Sequence, residues 1–110
     1  MGKQSEIKLA IQLDENNVPL KINWEAEGSE KEGINRSKAF MLALWDEDEN
    51  NTLRIDLWTK EMMVDEMKKF TCQNMITMAD TFERSTGETA IASEIRDFGK
   101  SIAVKLGVLK

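Results

Sequence analysis

A chain of 110 residues, 41% hydrophobic and 32% charged, holds enough apolar sequence for one folded domain, which excludes a disordered tail. Fifteen Lys and Arg against twenty Asp and Glu leave it at −5, with no basic block longer than Lys68-Lys69, so nucleic acid is a poor partner. With no His and one Cys, the commonest neutral general base and the multi-thiolate zinc sites are missing.

The longest apolar run, Phe40 to Trp45, is far short of the roughly 20 residues a bilayer span needs, so no membrane insertion is expected. The opening MGKQSEIK lacks the apolar stretch of a secretory signal, and one cysteine cannot close an internal disulfide. The expectation is a reduced, cytoplasmic protein, stable without metal and carrying no cofactor. The six glycines are scattered and form no phosphate loop.

The first half alternates with period two, the mark of strands with one buried face. Apolar positions fall at Ile7, Leu9, Ile11 and Leu13, then after DENNVP at Leu20, Ile22, Trp24 and Ala26. Paired as an antiparallel hairpin closing at Leu13 opposite Leu20, they set Ile11 against Ile22, Leu9 against Trp24 and Ile7 against Ala26. A one-residue slip would destroy the match, so the register is well specified. From Glu27 to Arg36 the polar EGSEKEGINR has no period and reads as a loop.

The run FMLALW is compatible with a buried helix turn or a buried strand. Pairing decides for a strand. Closing DEDENN as a six-residue loop sets Leu44 opposite Leu53, Leu42 opposite Ile55 and Phe40 opposite Leu57, all apolar. Helix propensity of Ala, Met and Leu argues the other way but is a weak prior.

After Thr59 the period becomes helical. Met63, Val64, Met67, Phe70, Met75, Met78, Ala79 and Phe82 share one arc, and Gly87 stands where a helix stops in a left-handed cap. A second helix carries Ile91, Ile95, Phe98, Ile102 and Leu106. The expected architecture is α+β: one domain over 1–110, a four-stranded antiparallel β-meander (strands about 5–13, 20–26, 38–45 and 52–59), followed by two antiparallel helices (about 62–86 and 89–107) packed on one face. Ile11, Ile22, Leu42, Ile55, Met67, Phe82 and Phe98 are expected to be buried together.

Several residues invite functional readings. Asp46, Asp48 and Asn50 alternate like the start of a calcium loop, but Asn51 replaces the required Gly and Leu57 the bidentate Glu, so a solvated turn is the better account. Cys72 follows Lys68 and Lys69 by one turn, yet has no base or oxyanion site and reads as a buried structural thiol. The methionines at helical spacing read as core, not as an adaptable peptide groove. Asp80, Glu83 and Asp97 could supply paired carboxylates, but they fall on polar helix faces as solvated charges.

The most informative place is the outward face of the second hairpin. With Phe40, Leu42 and Leu44 inward, Met41, Trp45, Arg54, Asp56 and Trp58 face out, beside Ala43 and Thr52. Tryptophans, methionine and an Arg/Asp pair are typical of interface hot spots. Association with a protein partner or a second copy competes here with cover from within the chain.

The segments LDENNVPLKINWEA, LRIDLWTKEMMVDEMKKF, MADTFERSTGE and the tail RDFGKSIAVKL resemble the gliding motility protein GldC family of Bacteroidetes, over about Ile7 to Leu106. The resemblance implies a small cytoplasmic protein without cofactor, serving gliding motility and the linked secretion machinery. It maps no catalytic residue onto this chain. The leading expectation is therefore a non-enzymatic accessory and interaction protein of that machinery. The alternative is a small-molecule-binding domain with an apolar pocket beside Met67, Met75 and Trp24, between sheet and Met-rich helix. A hydrolase using the helix carboxylates stands third.

Overall fold

The computed structural model describes residues 2–108. Its elements in chain order are β1 (Ile7–Leu13), β2 (Pro19–Ala26), β3 (Asn35–Ser37), β4 (Ala39–Asp46), β5 (Asn51–Trp58), α1 (Val64–Thr86) and α2 (Thr89–Lys105). The protein is α+β, in two compact units: one ends at Met62 and holds every strand, the other begins at Met63 and holds both helices.

The strands form two antiparallel sheets, β1-β2-β3 and the ribbon β4-β5, instead of the expected four-stranded meander. The pairs Ile11↔Ile22, Leu9↔Trp24 and Ile7↔Ala26 hold, because any slip would turn the apolar set to the wrong face. Leu13 lies opposite Pro19, not Leu20, across an irregularity between Gln12 and Leu13. Pro19 has no N–H to give the ladder and is tolerated at the first residue of a strand. The turn before it is built by Asp14, whose Oδ1 accepts the N–H groups of Asn16 (2.8 Å) and Val18 (3.0 Å).

The segment read as a loop ends in the first two residues of β3, which closes with Ser37. This strand adds to the free edge of β2 through Ile22↔Ser37, Asn23↔Arg36 and Trp24↔Asn35. Three residues are too few to show a period, and the pairing is made by main chain, so side-chain alternation could not reveal it. The sheet ends at Lys38 because Ser37 turns back on the chain: its hydroxyl donates to the Ala39 carbonyl and accepts the Ala39 N–H. That local bonding competes with a continuous strand. The two sheets are tied together within the unit, where Lys60 N–H donates to the Pro19 carbonyl at 3.4 Å.

In the helical unit, α1 starts where Glu66 Oε1 accepts the Met63 N–H at 2.9 Å, and it ends at Gly87 in the left-handed region (φ 76°). Only two residues, Gly87 and Glu88, separate the helices, which pack on each other. The seam runs along small residues: Cys72 and Ala79 from α1, Ala92, Gly99 and Ala103 from α2, all buried. An ideal Cβ on Gly99 would stand 3.0 Å from Ile76 Cγ1.

This seam corrects the expected core. Ile22 is fully buried, and Ile11, Leu42, Met67 and Phe82 are half-buried. Phe98 is 59% exposed and Ile55 51% exposed. The close helix approach selects the Ala92-Gly99-Ala103 line, which rotates the larger Phe98, Ile91 and Leu106 outward. Ile55 lies toward the loop end of its ribbon face, where Leu44 and Leu53 are exposed as well.

Candidate functional site

The β4-β5 ribbon carries the surface singled out by sequence. Its register is regular, from Ala39↔Trp58 through Leu42↔Ile55 to Asp46↔Asn51. It closes on four residues, 47–50, two fewer than the expected six. Asp46 makes this possible: its Oδ2 accepts the Glu49 N–H (2.8 Å) and its carbonyl accepts the Asn50 N–H (2.9 Å). Asn50 takes the left-handed conformation (φ 55°) that Asn tolerates. The calcium-like spacing is thus turn chemistry, and among the described residues no group of three or more Asp, Glu, Cys or His could hold a metal ion.

Strand alternation puts Phe40, Leu42, Leu44, Leu53, Ile55 and Leu57 on one face. Met41, Trp45, Arg54, Asp56 and Trp58 lie on the other. The five do not form one tight patch. Trp45 is opposite Thr52 at the loop end and Trp58 opposite Ala39 at the other end, which separates them by six strand positions, roughly 20 Å. Between them sits the ion pair. Arg54 Nε donates to Asp56 Oδ2 and Nη2 to Oδ1, both at 3.0 Å, a fork that raises the guanidinium pKa further above its ordinary value. Met41 is half-buried opposite Asp56.

Trp45 is 66% exposed and Trp58 58% exposed. The opposite face is open too near the loop, where Leu44, Leu53 and Ile55 are exposed. A ribbon with apolar side chains in water on both faces has the chemistry of recognition, offering rings, aliphatic area and a planar charge pair. It carries no nucleophile–base pair.

The remaining candidates are accounted for in their own units. Cys72 is buried in the helix seam. Asp80 and Glu83, expected to be solvated singly, converge on Arg96 of α2: Arg96 Nη2 lies 2.7 Å from Asp80 Oδ1 and 3.0 Å from Glu83 Oε1. Asp80 first, then Glu83, hold the Arg96 guanidinium pKa above its ordinary value. Two carboxylates sharing a guanidinium form a structural clamp, and Asp97 stands apart as an exposed residue. Helical spacing from Asp80 to Glu83 marks a shared face, but nothing in sequence pointed to an arginine 16 residues from Asp80. A cleft of about 370 Å³ beside β1 and β2 is lined by Glu6, Lys8, Glu25, Glu27 and Glu32, with no nucleophile or paired base.

These features define a class: a small acidic α+β protein whose distinctive surface is a doubly exposed β-ribbon. No helix among the described residues is long and apolar enough to cross a membrane. Residues 19–108, from the start of β2 past the end of α2, match the model of the family described as gliding motility-associated protein GldC-like, and the chain belongs to that family. Neither the curated proteins nor the solved structures compared with it gave a match.

Proposed function

We propose that the chain is a non-enzymatic accessory protein of the gliding-motility machinery and the linked secretion apparatus, working in the cytoplasm by protein–protein contact through the β4-β5 ribbon. Family membership supplies the process. The exposure of Trp45 and Trp58 on one face, with Leu44, Leu53 and Ile55 on the other, supports the contact surface. Large rings in water are a liability unless a partner covers them, and aromatic anchors carry much of the energy of such contacts.

The test replaces the native gene in a gliding bacterium with Trp45→Ala or Trp58→Ala and measures colony spreading, protein level and thermal stability together. Truncation at a hot spot costs roughly 2 kcal/mol or more of binding, so spreading falls while level and melting temperature hold. Spreading at the wild-type rate in both variants would refute the reading. Loss of the folded protein would assign the rings to internal packing instead. A photo-crosslinking residue at position 58 then identifies what lies against the ribbon.

A further inference from the structure

The outer edge of β5 is complementary to itself. Thr59 N–H donates to the Lys38 carbonyl at 2.8 Å, continuing the β4-β5 register by one pair. Ladder bonds of an antiparallel pair fall on alternate residue pairs, so the main-chain groups of Leu57, Ile55, Leu53 and Asn51 face β4. Those of Thr52, Arg54, Asp56 and Trp58 point away from it. Among the described residues, β5 has no neighbour on that side and no hydrogen bond reaches these groups. An eight-residue edge of this kind, without proline, is a template for another strand.

We propose that this edge pairs antiparallel with the same edge of a second copy, about a two-fold axis through Ile55. The proposal deepens the reading of the ribbon as a contact surface and rests on it. In this register Arg54 lies opposite the partner's Asp56, and Asp56 opposite the partner's Arg54. Thr52 meets the partner's Trp58. All are residues whose main-chain groups point outward, so every pair can form its ladder bonds. On the other face Ile55 meets the partner's Ile55, and Leu53 the partner's Leu57. The existing Arg54–Asp56 fork survives. Four charges alternate in sign around a square, each with one opposite neighbour along its own strand and one across.

Other registers fail for definite reasons. A one-residue slip sets outward main-chain groups against inward ones. A two-residue slip in one direction places Arg54 opposite the partner's Arg54; in the other, Asp56 opposite the partner's Asp56. Charges that would deter pairing with a foreign edge thus specify the copy. The product is a four-stranded sheet in the order β4-β5-β5-β4, which relieves the marginal stability of a lone two-stranded ribbon. One strand edge is a small interface, so affinity on the order of micromolar or weaker is expected.

The test is sedimentation velocity over a dilution series, on the full chain, with melting curves alongside. Wild type should show concentration-dependent dimer. Arg54→Asp and Asp56→Arg each place four like charges together, and each should weaken the dimer about tenfold or more. Mixed one to one, the two variants should pair with each other, because the negative edge then faces the positive one. The exchange variant carrying both substitutions should dimerise like wild type, and it decides the matter if either single variant melts early. Wild type monomeric throughout, single variants dimerising as wild type does, or a mixture without mixed dimer would each overturn the pairing. If the chain is monomeric but Trp58→Ala still abolishes spreading, the ribbon meets a foreign protein and only the copy-to-copy pairing fails. If the dimer forms as described but neither tryptophan matters for spreading, the functional reading fails and the pairing stands.

Discussion

Lys60 holds Asp14: its ammonium lies 2.5 Å from Oδ2, while Oδ1 of the same carboxylate accepts the N–H groups of Asn16 and Val18. One carboxylate thereby builds the β1-β2 turn and fastens to it the second residue past the end of β5. The Lys60 bond first, then the Val18 amide, draw the Asp14 carboxyl down to about 2 from the usual 3.8. A carboxyl with a depressed folded pKa stabilises fully above its unfolded value, and that contribution is lost as pH falls through the folded one. The melting temperature of wild type is therefore expected to fall more steeply between about pH 4 and pH 2 than that of Asp14→Asn. Parallel curves from circular dichroism would show that the pair does not contribute.

Thr59 offers a change that should stabilise. It is 3% exposed, its N–H is bonded to Lys38, and its Oγ1 has no partner among the described residues. A buried hydroxyl without a bond costs more than its methyl-shaped replacement, so Thr59→Val should add about 1 kcal/mol in urea unfolding. Thr59→Ser keeps the orphan oxygen and removes the methyl, and should cost about 1 kcal/mol. The two signs together separate an unsatisfied hydroxyl from a bonded one. A destabilising Thr59→Val would mean that the oxygen has a partner.

Arg96 closes the helical unit at its polar side. Its Nη2 bonds both Asp80 and Glu83, and its Nε lies 3.1 Å from Asp80 Oδ1. The site is partly solvated, so Arg96→Met, which keeps the stem, should lower the melting temperature at low salt and lower it less at high salt. Arg96→Lys should recover only part of this, because an ammonium cannot reproduce the fork. A double-mutant cycle of Arg96→Met with Asp80→Asn should give a favourable coupling that shrinks as salt is added. Zero coupling would reduce the contact to a passing one.

Legibility in the sequence followed the range of the interactions. The hairpin registers were readable because facing apolar positions, Ile11 with Ile22 and Leu42 with Ile55, constrain each other across a short turn. Gly87 was readable because a left-handed cap favours a residue without Cβ. β3 was not, since a three-residue main-chain pairing leaves no side-chain period. Nor was the seam through Ala92, Gly99 and Ala103: hydropathy ranks Phe98 above glycine, whereas close packing of two helices ranks it below. For the candidate site, alternation placed Trp45 and Trp58 on one face. Their separation to opposite ends of the ribbon followed only from counting along the register. Lys60 with Asp14, and Arg96 with Asp80, are pairings between distant segments that no local pattern encodes.

Gly99 tests that seam directly. Alanine is the better helix former by about 1 kcal/mol, so in open space Gly99→Ala would stabilise α2. Here the new Cβ would meet Ile76 Cγ1 at 3.0 Å and Met75 Cβ at 3.4 Å, with the Cys72 carbonyl 3.6 Å away. Ile76 must give way by a few tenths of an ångström or the helices must part, and overpacking of this kind costs roughly 1–3 kcal/mol. The cost outweighs the propensity, so Gly99→Ala should lower stability by about 1 kcal/mol. Ile76→Ala destabilises by itself, but it removes the atom in the way. In that background the same glycine substitution should change sign and become stabilising, because the contacts left, Met75 Cβ at 3.4 Å and the Cys72 carbonyl at 3.6 Å, need no displacement. Thermal or urea unfolding of the four proteins reads the result. A Gly99→Ala that stabilises the wild-type chain by the full helix propensity would show that α1 and α2 do not approach as closely as the seam requires.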